Sequence, residues 1–317
     1  MGAAGTVLAI DDQPQSLKAM RDALLPLGFD VLEARDGEAG LALARERQPD
    51  VILLDVVMPG MDGYEVCHKL KADEETRLLP VVFLTGLDSR DARLRGLEAG
   101  ATDFLTKPFS LVELEVRVRN LVSFRRLTQD LDDAEKMLFA VARTVEARDE
   151  ATGEHCDRLS QLAARLAEHM GLDNEASKTL RRAGYLHDIG KIGIPDSILL
   201  KAAELDETEW RIMRSHVEIG VSICSPLRTL RGVLPVIRHH HERRDGSGYP
   251  DGLAGDAIPE LAQVFQVVDV FDALTNDRPY RRALTAEQAF TILARETERG
   301  WWNRRVVDAF ASMVGRK

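Results

Sequence analysis

The chain of 317 residues has few cysteines, no long apolar run and no excess of positive charge, and each absence excludes something. Cys67, Cys156 and Cys224 are odd in number and far apart, which rules out a disulfide scaffold. Apolar runs are strand-sized, as in Val51–Leu54, well short of the roughly 20 residues that span a bilayer. The first residues, MGAAGTVLAIDD, contain no basic stretch followed by an apolar core, so no secretory signal is expected. A cytoplasmic protein with no membrane partner is the resulting expectation. Lys and Arg number 42 against 52 Asp and Glu, a net charge of -10, which leaves no basic surface for DNA. Histidine is scarce early in the chain: of 8, only His68 lies before residue 155, and the other seven fall between His155 and His241.

At roughly 150 residues per domain, the length suggests two domains. In the first 120 residues, short apolar runs at Thr6–Ile10, Phe29–Ala34, Val51–Asp55, Val81–Thr85 and Thr102–Thr106 alternate with amphipathic stretches. Such alternation predicts an α/β doubly wound, parallel sheet covered on both faces, with working residues at the carboxyl ends of its strands. From Leu111 to about Arg148 the pattern is wholly helical. Phe124, Leu127, Leu131, Ala134, Leu138, Val141 and Val145 follow a heptad spacing that predicts a coiled-coil linker and a homodimer through it, or else a helix lying on one domain. Beyond residue 148 the helices follow one another without strands, so the second domain is expected to be all-α. The expected boundaries are 1–122, a helical linker 123–147, and 148–317.

Asp11 and Asp12 follow the first strand, Asp55 ends the third, Thr85 ends the fourth, and Lys107 follows the fifth. All converge on one sheet edge. Three carboxylates at one point suit a hard cation such as Mg²⁺, while the lysine and hydroxyl suit a phosphoryl group. Together with the run DVVMPGMDG (Asp55–Gly63) and the pair Lys107–Pro108, these residues resemble the two-component receiver domain over residues 5–122. The resemblance implies that Asp55 is the phosphoacceptor for a histidine kinase and that Asp11, Asp12 and Asp55 hold Mg²⁺. It further implies that Thr85 and Lys107 contact the phosphoryl oxygens, and that Phe104 is the switching aromatic.

In the second half, His187–Asp188 is preceded by His155 and followed by His216, His239–His241 and Asp269. A mixed imidazole and carboxylate set suits Fe, Mn or Zn in a hydrolytic centre. Cys156 and His169 have no such context and read as incidental. The motifs LHDIGKIGIPD (Leu186–Asp196), HHERRDGSGYPDGL (His240–Leu253) and VVDVFDALTNDRPYRRA (Val267–Ala283) resemble the HD-GYP family of HD-type phosphohydrolases over about residues 140–312. That resemblance implies cyclic di-GMP hydrolysis to pGpG and/or GMP. It implies His155, His187, Asp188, His216, His240, His241 and Asp269 as metal ligands, with Asp188 bridging and Lys191, one helical turn after His187, facing the scissile phosphate. Arg278 and Arg281 are expected to hold substrate phosphates, and Gly248, Tyr249 and Pro250 to shape the pocket rim, with Gly248 supplying unusual backbone angles. Ala151 stands where some members carry a third-metal Glu, so two divalent ions, Fe or Mn, are expected. Trp302-Asn303-Arg304 departs from the family's aromatic-Asp-Pro run and is expected to lie outside the site. The competing expectations are a cyclic di-GMP sensor, a docking partner of a GGDEF diguanylate cyclase, or a hydrolase of another cyclic nucleotide.

Overall fold

The computed structural model describes residues 4–86, 90–148, 154–277 and 282–315, and divides into two compact units, Met1–Ala134 and Glu135–Lys317. In the first, β1 (Gly5–Ile10), β2 (Phe29–Ala34), β3 (Val51–Asp55), β4 (Val81–Thr85) and β5 (Asp103–Thr106) form a parallel sheet in the order β2-β1-β3-β4-β5. Alternate residues of the central strands serve opposite faces. Val7, Ala9, Leu53, Val82 and Leu84 meet α1 (Pro14–Leu24) and the start of α5 (Leu111–Glu146). Leu8, Ile10, Ile52, Leu54 and Phe83 meet α2 (Gly37–Arg47) and α3 (Gly63–Ala72). Asp36 caps α2 by accepting from the Ala39 amide, and Asp62 with Glu65 forms a reciprocal cap on α3. The α/β expectation holds, with α4 (Arg90–Glu98) completing the alternation.

Helix α5 runs from Leu111 to Glu146 without a break. Its seam residues do not share one environment. Phe124, Leu127 and Leu131 are exposed, whereas Leu138 packs on the core of the second unit and Val145 is buried. Phe139 stacks on Tyr185 at 4.8 Å, and Glu135 forms two 3.1 Å bonds with Arg182. The last turns of α5 thus contribute apolar side chains to the second core as well as carrying a seam.

The second unit is wholly helical among the described residues, as expected. It comprises α6 (His155–His169), α7 (Asn174–Leu186), α8 (Asp196–Leu199), α9 (Glu207–Arg214), α10 (His216–Cys224), α11 (Leu234–His239), α12 (Glu260–Thr275), α13 (Ala286–Glu298) and α14 (Arg304–Val314). Its core gathers Leu159, Leu180, Leu186, Ile237, Phe265, Val268 and Phe310 from five of these helices. Helix α12 is buried on most sides because it runs through the middle, and its sequence is correspondingly apolar. The three cysteines are free and buried. No described helix is long and apolar enough to cross a membrane.

Candidate functional site

At the carboxyl edge of the sheet, Asp11 and Asp55 are buried beside Asp12, and one carboxylate oxygen from each lies within 4.8 Å of the others. Lys107 Nζ reaches Asp11 Oδ2 at 2.9 Å and Asp55 Oδ1 at 3.1 Å. Burial raises the Asp55 pKa above the ordinary carboxylate value, against the opposing pull of Lys107. Asp12 Oδ1 is buried with no hydrogen-bond partner, which is what a residue kept for a cation looks like. Thr85 is buried at the end of β4, on the same edge. Phe104 is half-buried, its ring 5.8 Å from Phe83 and packed close over Gly96. The residues expected at this edge are therefore together, and their chemistry fits Mg²⁺.

In the second unit the seven expected metal ligands form two adjoining donor groups. Asp188, His216, His240 and His241 present ligand atoms within 4.8 Å of one another, and so do His155, His187 and Asp269. Asp188 faces both groups. Its Oδ2 lies 3.4 Å from His187 Nε2, and its Oδ1 lies 3.2 Å from His216 Nε2 and 3.8 Å from His240 Nε2. Asp188 Oδ1 and Nε2 of His216 and His240 are buried without an aligned hydrogen bond. Three buried polar atoms gathered at such distances without an aligned hydrogen bond are what a donor set for divalent cations of the Fe, Mn or Zn type looks like.

The protonation states agree. Burial lowers the His240 pKa, and burial with neighbouring His240 and His216 lowers that of His241 much further. Burial would raise that of Asp188, but Lys191 and His187 outweigh it and hold the carboxyl well below its ordinary range. Neutral His240 and His241 beside an ionised Asp188 are ligand forms a cation needs, whereas for His187 burial is outweighed by the Asp188 carboxylate and the pKa is raised. Lys191 is placed differently from the expectation. Helix α7 stops at Leu186 and Ile189–Gly193 is a tight 3₁₀ turn, so Lys191 does not continue the helix. Its Nζ turns back to Asp188 Oδ2 at 3.0 Å.

Three partners set the histidine orientations. His216 Nδ1 lies 2.8 Å from the Met213 carbonyl, and His240 Nδ1 lies 2.8 Å from the Ile237 carbonyl, so each turns Nε2 inward. His155 Nδ1 lies 2.6 Å from Asp272 Oδ2, and Asp272 is itself held by Arg158 at 2.9 and 3.1 Å. Asp272 and Arg158 were not singled out from the sequence. The signal was present, because Asp269 and Asp272 are one turn apart on one helix, as are His155 and Arg158. Asp272→Asn is expected to weaken Mn²⁺ binding about 10-fold to 100-fold, read by calorimetric titration. An unchanged affinity would remove Asp272 from the support of His155.

The loop of Gly248, Tyr249 and Pro250 packs on this centre. Tyr249 stacks on His241 at 4.7 Å, and its amide donates to the His241 carbonyl. The buried Glu242 accepts from the Asp251 and Leu253 amides, fixing the turn. Gly248 is required for space rather than for unusual angles: a Cβ there would lie 2.3 Å from the Arg243 nitrogen. Left-handed backbone in this loop occurs instead at Gly246 and Gly252. His239, Glu242 and Asp251 also cluster, but Asp251 gives both oxygens to Arg238 at 2.8 and 2.7 Å, and both Glu242 oxygens are taken by amides. His169 is exposed at the end of α6. Ala151, Arg278 and Arg281 lie outside the described residues.

A cleft of about 530 Å³ opens over the donor groups. Trp301 and Trp302 line it, and for Trp302 this corrects the expectation that its run lies outside the site. The reason is topological: the Trp301 carbonyl accepts from the Arg244 amide, drawing the α13–α14 connection against the histidine-bearing loop. Asn303 caps α14, accepting from the Arg305 amide while donating to Gln263.

The response regulator receiver domain family matches residues 7–119, and the HD domain family matches residues 139–306. The chain is 36% identical to the cyclic di-GMP phosphodiesterase response regulator RpfG of Xanthomonas campestris, over 96% of this chain and 86% of that protein. It is 35% identical to a cyclic di-GMP phosphodiesterase of Thermotoga maritima, over 97% of this chain and 90% of that protein. Over 55% of the chain it is 39% identical to 3'3'-cGAMP-specific phosphodiesterase 2 of Vibrio cholerae, covering 35% of that protein.

Proposed function

Since this chain belongs to the family of response regulators that join a receiver domain to an HD domain, we propose that it is a metal-dependent cyclic di-GMP phosphodiesterase controlled by phosphorylation of Asp55. The observation that carries the reading is Asp188, with one oxygen toward each of two donor groups. Two divalent cations, when bound there, supply an activated water and positive charge for a phosphodiester. The chain's own residues do the rest. Asp188 holds the two donor groups in register. Lys191 sits beside it with a proton and a charge to offer the leaving oxygen. The Tyr249 ring keeps His241 from turning. Fe and Mn are the proposed ions, pGpG and/or GMP the products, and Mg²⁺ the ion of the receiver edge.

A histidine kinase is the proposed phosphodonor, and α5, with exposed Phe124, Leu127 and Leu131 at heptad spacing, is the proposed dimer contact and relay. A GGDEF-domain protein is a further proposed partner. Incubation with cyclic di-GMP under Mn²⁺ or Fe²⁺, with and without beryllofluoride and with products resolved by chromatography, tests the whole reading. No hydrolysis under either ion would overturn the activity, and a rate indifferent to beryllofluoride would overturn the control. Leu127→Glu combined with Leu131→Glu is expected to shift the protein from dimer to monomer in sedimentation, since each leucine contributes about 1.5–3 kcal/mol when buried. A dimer unchanged by both substitutions would place the contact elsewhere.

A further inference from the structure

Several arginines of the second unit sit on carboxylates. Arg158 lies 2.9 Å from Asp272, Arg182 3.1 Å from Glu135, Arg238 2.7 Å from Asp251 and Arg244 3.0 Å from Asp256. The two arginines that line the cleft over the donor groups do not. Arg243 and Arg214 have no hydrogen bond or ion pair to an acid among the described residues, and each lies against aromatic rings instead. Arg243 Cζ is 3.7 Å from the centroid of Trp301. Arg214 Cζ is 5.1 Å from the centroid of Tyr249 and 5.7 Å from that of Trp210, its neighbour one turn back on α9.

The stack of Arg243 on Trp301 is a built feature. Arg244, next to Arg243, donates its amide to the Trp301 carbonyl at 3.0 Å, so the arginine and its aromatic support are pinned together through the backbone. Glu296, which also lines the cleft, accepts from Trp302 Nε1 at 2.8 Å. A guanidinium laid flat on an aromatic ring keeps its in-plane N–H groups free for an acceptor pair. In a cleft already floored by phosphate-seeking donor groups, the acceptor pair that matches this fork in plane is the O6/N7 edge of guanine. Adenine offers one acceptor and one donor on the same edge, and cannot satisfy it. There are two such shelves in the cleft, and a cyclic dinucleotide has two bases.

We propose that Arg243 on Trp301 and Arg214 on Trp210 and Tyr249 are the two base-reading shelves of the cleft, and that they make the enzyme selective for guanine in a cyclic dinucleotide. This rests on the phosphodiesterase reading above and adds which residues read the base. The donor groups act on the phosphodiester and are indifferent to the base, whereas the shelves are indifferent to the diester.

The test compares the full-length protein and its variants, loaded with Mn²⁺, on cyclic di-GMP, 3'3'-cGAMP and cyclic di-AMP, with bis(p-nitrophenyl) phosphate as a diester lacking a nucleobase. For the unmodified protein kcat/KM is expected to fall in the order cyclic di-GMP, 3'3'-cGAMP, cyclic di-AMP. Arg243→Lys, which keeps the charge and loses the fork, and Trp301→Ala, which removes the support, are each expected to lower the kcat/KM ratio of cyclic di-GMP to bis(p-nitrophenyl) phosphate at least about tenfold, mainly through KM. Trp301→Phe keeps a ring under Arg243 and is expected to restore most of that ratio. It also reports if Trp301→Ala merely fails to fold. Ratios unchanged in Arg243→Lys and Trp301→Ala alike, or equal turnover of cyclic di-AMP and cyclic di-GMP, would overturn the shelves. An unmodified protein that cleaves bis(p-nitrophenyl) phosphate but no cyclic dinucleotide would overturn the substrate reading itself, and the shelves with it.

Discussion

Asp188→Ala is expected to lower cyclic di-GMP hydrolysis by at least about 10³-fold, beyond the 10–100-fold that loss of an outer support costs. The expectation follows from position. His216, His240 and His241 come from α10 and the segment after α11, while His155, His187 and Asp269 come from α6, the end of α7 and α12. Asp188 is the residue with an oxygen within 3.4 Å of a histidine in each group. Without its charge, the buried imidazoles of the two groups lose the carboxylate that lies between them, and cations held there would lose an anionic ligand. Asp188→Asn separates charge from shape, because it keeps the volume and removes the negative oxygen. Both variants are expected to retain less than the full complement of metal by elemental analysis. Full metal content and unimpaired hydrolysis in Asp188→Asn would show that the carboxylate does not join the two groups.

Gly190→Ala is the second large effect, and it acts on the fold before the chemistry. A Cβ at Gly190 would lie 1.8 Å from the His216 carbonyl oxygen and 2.6 Å from the Gly220 nitrogen. Both are backbone atoms of α10, so no side chain can swing aside. The 3₁₀ turn carrying Gly190 would have to move away from α10, separating Asp188 from His216. Overpacking of this kind costs about 3 kcal/mol or more when backbone must shift. For a unit of this size that corresponds to roughly 6–12 °C in Tm. Calorimetry is expected to show the second unit melting earlier, with hydrolysis lost in parallel. A variant with the parent Tm and activity would mean that the turn and α10 are not in the contact described.

Legibility differed between the two halves for a physical reason. A parallel sheet brings strand ends to one edge whatever the helices do, so Asp11, Asp55, Thr85 and Lys107 could be placed together from their positions in the chain alone. The helical unit has no such rule. Its ligands were recognisable as residue types in ordered motifs, but their partition into two groups about Asp188 depends on how α6, α10 and α12 cross. Asp272 was passed over because a carboxylate serving a histidine looks, in sequence, like any helical aspartate. Trp302 was set aside and Trp301 passed over because they lie some 60 residues from the histidine triplet, and contacts such as the Arg244–Trp301 backbone bond bring them to the cleft.

What the sequence determined by itself was local or periodic: the strand pattern, the all-helical second half, the acidic strand ends, the histidine-rich motifs and the spacing along α5. Each rests on propensity, burial period or residue chemistry, which act over a few residues. What the tertiary structure decided was everything set by the crossing of distant segments. That includes the close contact at Gly190, which lets a turn and a helix share the centre, and the tight packing at Gly248. It includes the division of the α5 seam, exposed at Leu127 and packed on the second core at Leu138. It also includes the stacking of Arg243 on Trp301. Such contacts depend on interatomic distances between residues far apart in the chain, and no periodicity encodes those.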